Sequence, residues 1–307
     1  MRFEFLREIS KKDMGSLSST LCLIGNPIDE RGHFITSAFG SERHDQIITI
    51  ELKAEDMRSE INKTDVAFRN ISERLSSITN KHSFNNVLID ATTLGVPEIL
   101  VIIKWLQFTG ICSRVKIIYA EPDNYPQIEL PSIYGSHQFN LSKASIGYKS
   151  LPGFTKTTSM EKKSHLIALL GFERVRLGQL LQTDEGAYIN EITPIFGVPG
   201  FKPSYDKHSA YQNIDSIKDK DKSNKPLFSS ANNPYDTFML LERVIETETD
   251  KIINVAPIGT KPMAIGAAVF ILKHRKENVG LMYDYPIKTP DRSRGVSRIH
   301  IYSVNIR

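Results

Sequence analysis

Asp90-Ala91-Thr92-Thr93-Leu94-Gly95-Val96-Pro97 recurs later in the chain as Asn254-Val255-Ala256-Pro257-Ile258-Gly259-Thr260-Lys261-Pro262. Each copy follows an apolar strand-like run, Asn86–Ile89 and Lys251–Ile253, and each precedes an apolar helical run. Beyond each helix comes a second strand with a shared ending, Ile118-Tyr119-Ala120-Glu121-Pro122 and Met282-Tyr283-Asp284-Tyr285-Pro286. Asn254 lies 164 residues after Asp90, as Gly259 does after Gly95, Tyr283 after Tyr119 and Pro286 after Pro122. A constant offset across turn, helix and strand is the mark of an internal repeat. Strand–turn–helix units are also where α/β proteins commonly hold phosphates.

An earlier pair extends the repeat. Gly25-Asn26-Pro27-Ile28-Asp29-Glu30-Arg31-Gly32 follows Leu21–Ile24, and Gly171-Phe172-Glu173-Arg174-Val175-Arg176-Leu177-Gly178 follows Leu166–Leu170. Gly171 is 146 residues after Gly25, so the second copy carries 164 − 146 = 18 additional residues before its next turn. The stretch from Pro203 to Pro226 is the expected site of that insertion, and Asp215–Ser223 reads as too polar for a packed element. The fold class expected is α/β, with tandem duplicated Rossmann-like units and mostly parallel sheets. The expected organisation is a first unit over residues 1–130 and a linker or insert over 131–162. A second unit over 163–307 would carry an added C-terminal edge strand at Ile299–Val304. Apolar positions from Met57 to Ile78 recur at roughly helical spacing and predict one long amphipathic helix from Ala54 to about Thr79.

Composition narrows the function classes. The chain has 307 residues, 40% hydrophobic and 24% charged, with a formal net charge of +4. That is ordinary for a globular protein and too weakly basic to predict direct DNA binding. Cys22 and Cys112 lie in apolar elements without a second Cys or a His at ligand spacing, which predicts buried free thiols and no zinc or other metal site. No apolar run reaches about 18 residues, so no membrane partner is expected, and the N-terminus lacks a signal-peptide pattern. A cytoplasmic location is the resulting expectation, and no cofactor is called for.

The candidate binding residues cluster at the repeated turns. Gly259 permits close backbone approach, Thr260 offers a hydroxyl and Lys261 a charge at a helix start, which suits an anion. The alternative is a tight turn with a capping threonine. The small residues of Pro262–Ala268 suit close packing at a domain or subunit seam. Gly95, Asp90, Thr92 and Thr93 form the first-copy counterpart, fit for a ribose or base edge or equally for turn capping. Gly25 and Arg31 in copy one, and Gly171, Glu173, Arg174 and Arg176 in copy two, sit just past first strands, where α/β sheets open a crevice. Asp284 ends a strand and is a candidate general base. Lys288, Arg292, Arg294 and Arg298 form a basic loop that reads as a solvated surface or as an anion-binding flap. His165, His208 and His300 have no partner visible in sequence.

The run Gly259-Thr260-Lys261-Pro262-Met263-Ala264 after a strand resembles the signature turn of the CRISPR-associated Rossmann-like domains. The matching positions are Gly259, Thr260 and Lys261, with Gly171 as a looser match; Ile258 stands where that family more often has a first glycine. The resemblance implies binding of cyclic oligoadenylates or related nucleotide messengers in bacterial antiviral defence, often across a two-fold dimer. It also implies a nuclease or ATPase effector as partner, and ligand cleavage without a metal in some members. Three readings follow: a nucleotide-binding protein, a metal-independent nucleotide-cleaving enzyme on the same scaffold, and a structural subunit of a larger assembly.

Overall fold

The computed structural model describes residues 1–39, 46–80, 83–129, 137–139, 141–156, 162–182, 189–218, 224–248 and 250–307. It is a mixed α/β protein of two compact units, the first made of Met1–Gln127 with Lys288–Arg307, the second of Ile128–Ile287.

Unit 1 is built from β1 (Arg2–Ile9), β2 (Leu21–Ile24), α1 (Glu30–Ala38), β3 (Ile47–Lys53), β4 (Arg58–Ile61), β5 (Thr64–Ala67), α2 (Ile71–Thr79), β6 (Val87–Asp90), α3 (Val96–Thr109) and β7 (Arg114–Ala120). Its sheet has eight strands, in the order β1, the C-terminal strand Ile299–Asn305, β7, β6, β2, β3, β4, β5. The four strands β7, β6, β2 and β3 are parallel. The chain steps from β2 outward to β3, then returns to the other flank of β2 for β6 and β7. That reversal makes a switch point between β2 and β6, where crevices form at the carboxyl ends of strands. α3 is apolar nearly all round and buries Ile99, Leu100, Ile102, Ile103, Trp105 and Leu106. It stops at Gly110, whose positive φ of 65° is the left-handed helix end that glycine adopts most easily.

Two expectations for this unit are corrected. Residues 54–79 do not form one helix. Asn62 and Lys63 both have positive φ, 48° and 63°, and turn the chain into the β4–β5 hairpin before the short α2. Ser59 and Ile61 are buried on alternate positions, so apolar spacing that mimicked a helix belongs partly to a strand. The C-terminal strand is not an edge of the second unit. It pairs antiparallel with β7 on one side and β1 on the other, and buries Ile299, Ile301, Tyr302 and Val304.

Three short strands follow β7: β8 (Gln127–Glu129), which begins at the boundary between the units, and β9 (His137–Phe139) and β10 (Ser142–Ser145) in unit 2. The core of unit 2 is β11 (Ser164–Leu170), α4 (Arg174–Gln182), β12 (Ile189–Gly197), α5 (Tyr205–Lys218), β13 (Leu227–Ser229), α6 (Pro234–Ile245), β14 (Ile252–Pro257), α7 (Lys261–His274) and β15 (Val279–Leu281). The five strands are all parallel, in the order β13-β12-β11-β14-β15. Read by order of appearance this is 3-2-1-4-5, the doubly wound arrangement, with its switch point between β11 and β14. The insertion expected near 203–226 carries α5, which runs through Asp215–Lys218 and buries Ser209, Gln212 and Asn213. The rest of that polar stretch, 219–223, lies outside the described residues. Between β3 and α2 unit 1 has instead the shorter β4–β5 hairpin.

α7 is buried continuously from Pro262 to Leu272. Gly266 packs against α6 within the unit: a Cβ there would stand 2.3 Å from the Pro234 carbonyl oxygen and 2.9 Å from Thr237 Cβ. Gly266→Ala therefore forces two helices apart and is expected to destabilise unit 2 by roughly 1–3 kcal/mol. Urea denaturation with equal or higher stability in the variant would contradict this packing.

Candidate functional site

At the switch point of unit 1 the turns after β2 and β6 touch. The Gly25 N–H donates to Thr93 Oγ1 at 2.8 Å, and a Cβ on Gly25 would lie 2.9 Å from the Thr93 carbonyl carbon. Asp90 is fully buried; it accepts from the Thr92 N–H at 2.8 Å and the Thr93 hydroxyl at 2.5 Å. Burial raises its pKa, against the opposing pull of these donors. Thr92 Oγ1 accepts from the Ala120 N–H at 3.0 Å and so ties the turn to β7. Gly95 caps α3 with the Glu98 carboxylate folded against it. Asp90, Thr92 and Thr93 are thus occupied as turn caps, the plainer of the two readings of their sequence.

Beside this turn lies a buried ionic group. Asp29 caps α1 through the Gly32 N–H at 3.0 Å, binds Arg31 at 2.8 Å and accepts from the Ser293 hydroxyl at 2.7 Å. Arg31, only 3% exposed, also donates to Ser293 Oγ, the Tyr119 hydroxyl and the Ala120 carbonyl. Burial opposes the Asp29 charge, but Arg31, Ser293 and Gly32 outweigh it and hold the carboxyl below its ordinary pKa. Two further cations come from the basic loop. Arg292 stands 3.9 Å from Asp29, with a buried Nε that has no hydrogen-bond partner. Burial and Arg31 lower its pKa. Lys288 donates to the Thr93 carbonyl at 3.2 Å, and burial followed by Arg292 pulls its ammonium down to about 8. Arg31 and Arg292 share the deeply buried Asp29, and Lys288 lies within electrostatic range of both Glu98 and Asp29, so three cations meet two carboxylates near the amino ends of α1 and α3. Arg294 and Arg298 of the same loop are exposed.

In unit 2 the corresponding turns also touch. A Cβ on Gly171 would sit 2.9 Å from the Ile258 carbonyl oxygen, and one on Gly259 would sit 3.1 Å from that of Leu170. Thr260 caps α7 by accepting from the Met263 N–H, and donates its hydroxyl to the Ala231 carbonyl. Lys261 opens α7, is half-buried, and has no acidic residue beside it in the first turn. Asp284 is fully buried and held by Arg176 through two bonds of 2.8 and 2.6 Å, with Glu173 3.5 Å from Arg176. The Arg176 guanidinium lies over Tyr283 at 5.7 Å, just as Arg31 lies over Tyr119 at 5.9 Å. Arg174 is exposed and pairs with Asp215 at 3.2 Å. Phe172, Glu173, Arg174 and Arg176 line a cleft with Phe139, Ser142–Ser145 and Gln212.

The expected residues therefore gather in two sets: Gly25, Arg31, Asp90, Thr92, Thr93 and Gly95 in unit 1, and Gly171, Glu173, Arg174, Arg176, Gly259, Thr260, Lys261 and Asp284 in unit 2. Sequence reasoning missed Ser293 and Tyr119 as partners of Arg31, and it saw no partner for His300. That imidazole bonds Glu121 at 2.9 Å and stacks between Tyr119 and Tyr302. Both cysteines are buried and free, as their apolar settings implied. Among the described residues no helix is long and apolar enough to cross a membrane. No family model matches this chain, and no curated protein matches it.

A clamped buried carboxylate of this kind is structural: losing one partner strands the other charge. Asp284→Ala is expected to destabilise unit 2 by about 3–5 kcal/mol, read by chemical denaturation. A change below about 1 kcal/mol, the level of a surface pair, would mean that the clamp is solvated.

Proposed function

We propose that this protein binds a phosphorylated ligand, a nucleotide or nucleotide second messenger, with its phosphate held by Arg292 and Lys288 at the switch point of unit 1. The observation that carries the reading is the gathering of Arg31, Arg292 and Lys288 around only two carboxylates, Asp29 and Glu98, with the buried Arg292 Nε lacking a hydrogen-bond partner. Arginine forks and helix N-termini are suited to phosphate. The glycines do not carry the reading, since backbone contact alone accounts for Gly25, Gly171 and Gly259.

The two units are, on this reading, diverged copies of one Rossmann-like unit. Support comes from the 164-residue offset of Tyr119 and Tyr283, each beneath an arginine from a helix that follows a parallel strand, α1 after β2 and α4 after β11. The likeness of Gly259-Thr260-Lys261 to CRISPR-associated Rossmann-like domains favours a nucleotide messenger, such as a cyclic oligonucleotide, and a defence role with a nuclease or ATPase effector. Binding is preferred to cleavage because Asp90 and Asp284, two of the acids a hydrolytic reading would use, are buried and fully engaged.

Lys288 supplies the test. Its ammonium is disfavoured in the folded protein, so Lys288→Met is expected to raise the melting temperature at pH 7 while abolishing nucleotide binding. A destabilised variant, or one with unchanged affinity in calorimetry, would count against the assignment. The pH dependence has a definite sign. A bound anion raises the pKa of Lys288, so binding takes up a proton, and affinity holds below pH of about 8 and falls above it. Affinity independent of pH from 7 to 9.5 would remove Lys288 from the site.

A further inference from the structure

We propose that His165, Glu191 and Glu248 form a site for a divalent first-row cation, with Zn2+ and Mn2+ the best fits, for which Lys251 is a built-in competitor. The proposal is independent of the phosphate reading, because this cluster lies at the amino ends of the unit 2 strands, the opposite end from Gly171. The register of β11 against β12 sets His165 beside Glu191, and Glu248 arrives from the segment after α6. One ligand atom from each of the three lies within 4.8 Å of the others.

The imidazole points to a cation. His165 is 1% exposed, and its Nδ1 faces Glu248 at 3.4 Å without a hydrogen-bond partner. Its other nitrogen, Nε2, is 2.7 Å from Thr193 Oγ1, which also accepts from Asn224 at 3.1 Å. An outer bond of this kind fixes the ring and presents the opposite nitrogen to a metal.

Charge points the same way. Lys251 Nζ lies 2.8 Å from Glu191 and 2.8 Å from Glu248, so one ammonium faces two carboxylates. Its side chain is 24% exposed and has a route to solvent. A divalent ion would balance both carboxylates, add the imidazole as a third ligand and complete its shell with water. One nitrogen and two oxygens suit Zn2+ or Mn2+ better than a soft metal. The ion would join β11, β12 and the approach to β14, a structural role.

The test uses the whole protein, stripped with chelator and titrated with Zn2+ and Mn2+, and reads the melting temperature and calorimetric stoichiometry. One ion per chain and a saturable rise in melting temperature are expected. Both should vanish in Glu191→Gln, a half-exposed position where folding is safe, and in His165→Ala. Lys251→Ala should tighten binding by about tenfold or more, as removal of a neighbouring like charge does. Co2+ loaded into the wild type should show visible absorption bands that Glu191→Gln lacks. No stabilisation of the wild type by either metal, or stabilisation that persists in both ligand variants, overturns the proposal.

Discussion

In each unit the first parallel strand and the later strand beside it approach so closely at their carboxyl ends that no side chain fits between their turns. Gly25 against Thr93, and Gly171 against Ile258 and Gly259, are backbone-to-backbone contacts. This closeness fixes where the helices after those strands begin, and so where α1, α3, α4 and α7 aim their unpaired N–H groups. The polar caps follow from it. Thr93 can bond Gly25 only because the turns touch, and Asp90 is held in place by the threonines that do the bridging.

Around that frame the two units place charge differently. Unit 2 neutralises its arginine locally, with Arg176 and Asp284 forming a matched, deeply buried pair. In unit 1 Ala120 stands 284 − 120 = 164 residues before Asp284, and Arg31 bonds its carbonyl, Ser293 and the capping Asp29. Asp29 is then shared with Arg292 as well. Buried charge in excess of its partners is costly, and proteins retain it mainly where something binds. The two corners therefore differ: in unit 2 the arginine closes on one carboxylate, and in unit 1 the added cations are what the proposed phosphate would answer.

Much of the architecture was legible in the sequence because it rests on local pattern. Turn glycines after apolar runs, Pro97 and Pro262 in first helical turns, and the Asn233 cap of α6 all mark elements by short-range chemistry. The hairpin at Asn62-Lys63 was not legible, since neither residue is the glycine that usually announces such a turn. Nor was the position of the last strand, because pairing with β7 is a contact across some 180 residues and leaves no local trace. That long-range pairing is also what brings Lys288, Arg292 and Ser293 back to unit 1. The basic loop stood out in the sequence, but its partners did not. Similarly, His165 and Glu248 come together only through the sheet and the return from α6.

A phosphate received by the cations beside Thr93 would separate a nucleotide-binding protein from a purely structural one. The most direct measurement is a thermal-shift and mass-spectrometric screen of the purified protein against mononucleotides, dinucleotides and cyclic oligonucleotides, run in parallel on Arg292→Ala. A stabilising nucleotide is expected that is recovered intact from the wild type and has no effect on the variant. Absence of any stabilising nucleotide, or equal stabilisation of Arg292→Ala, would contradict it.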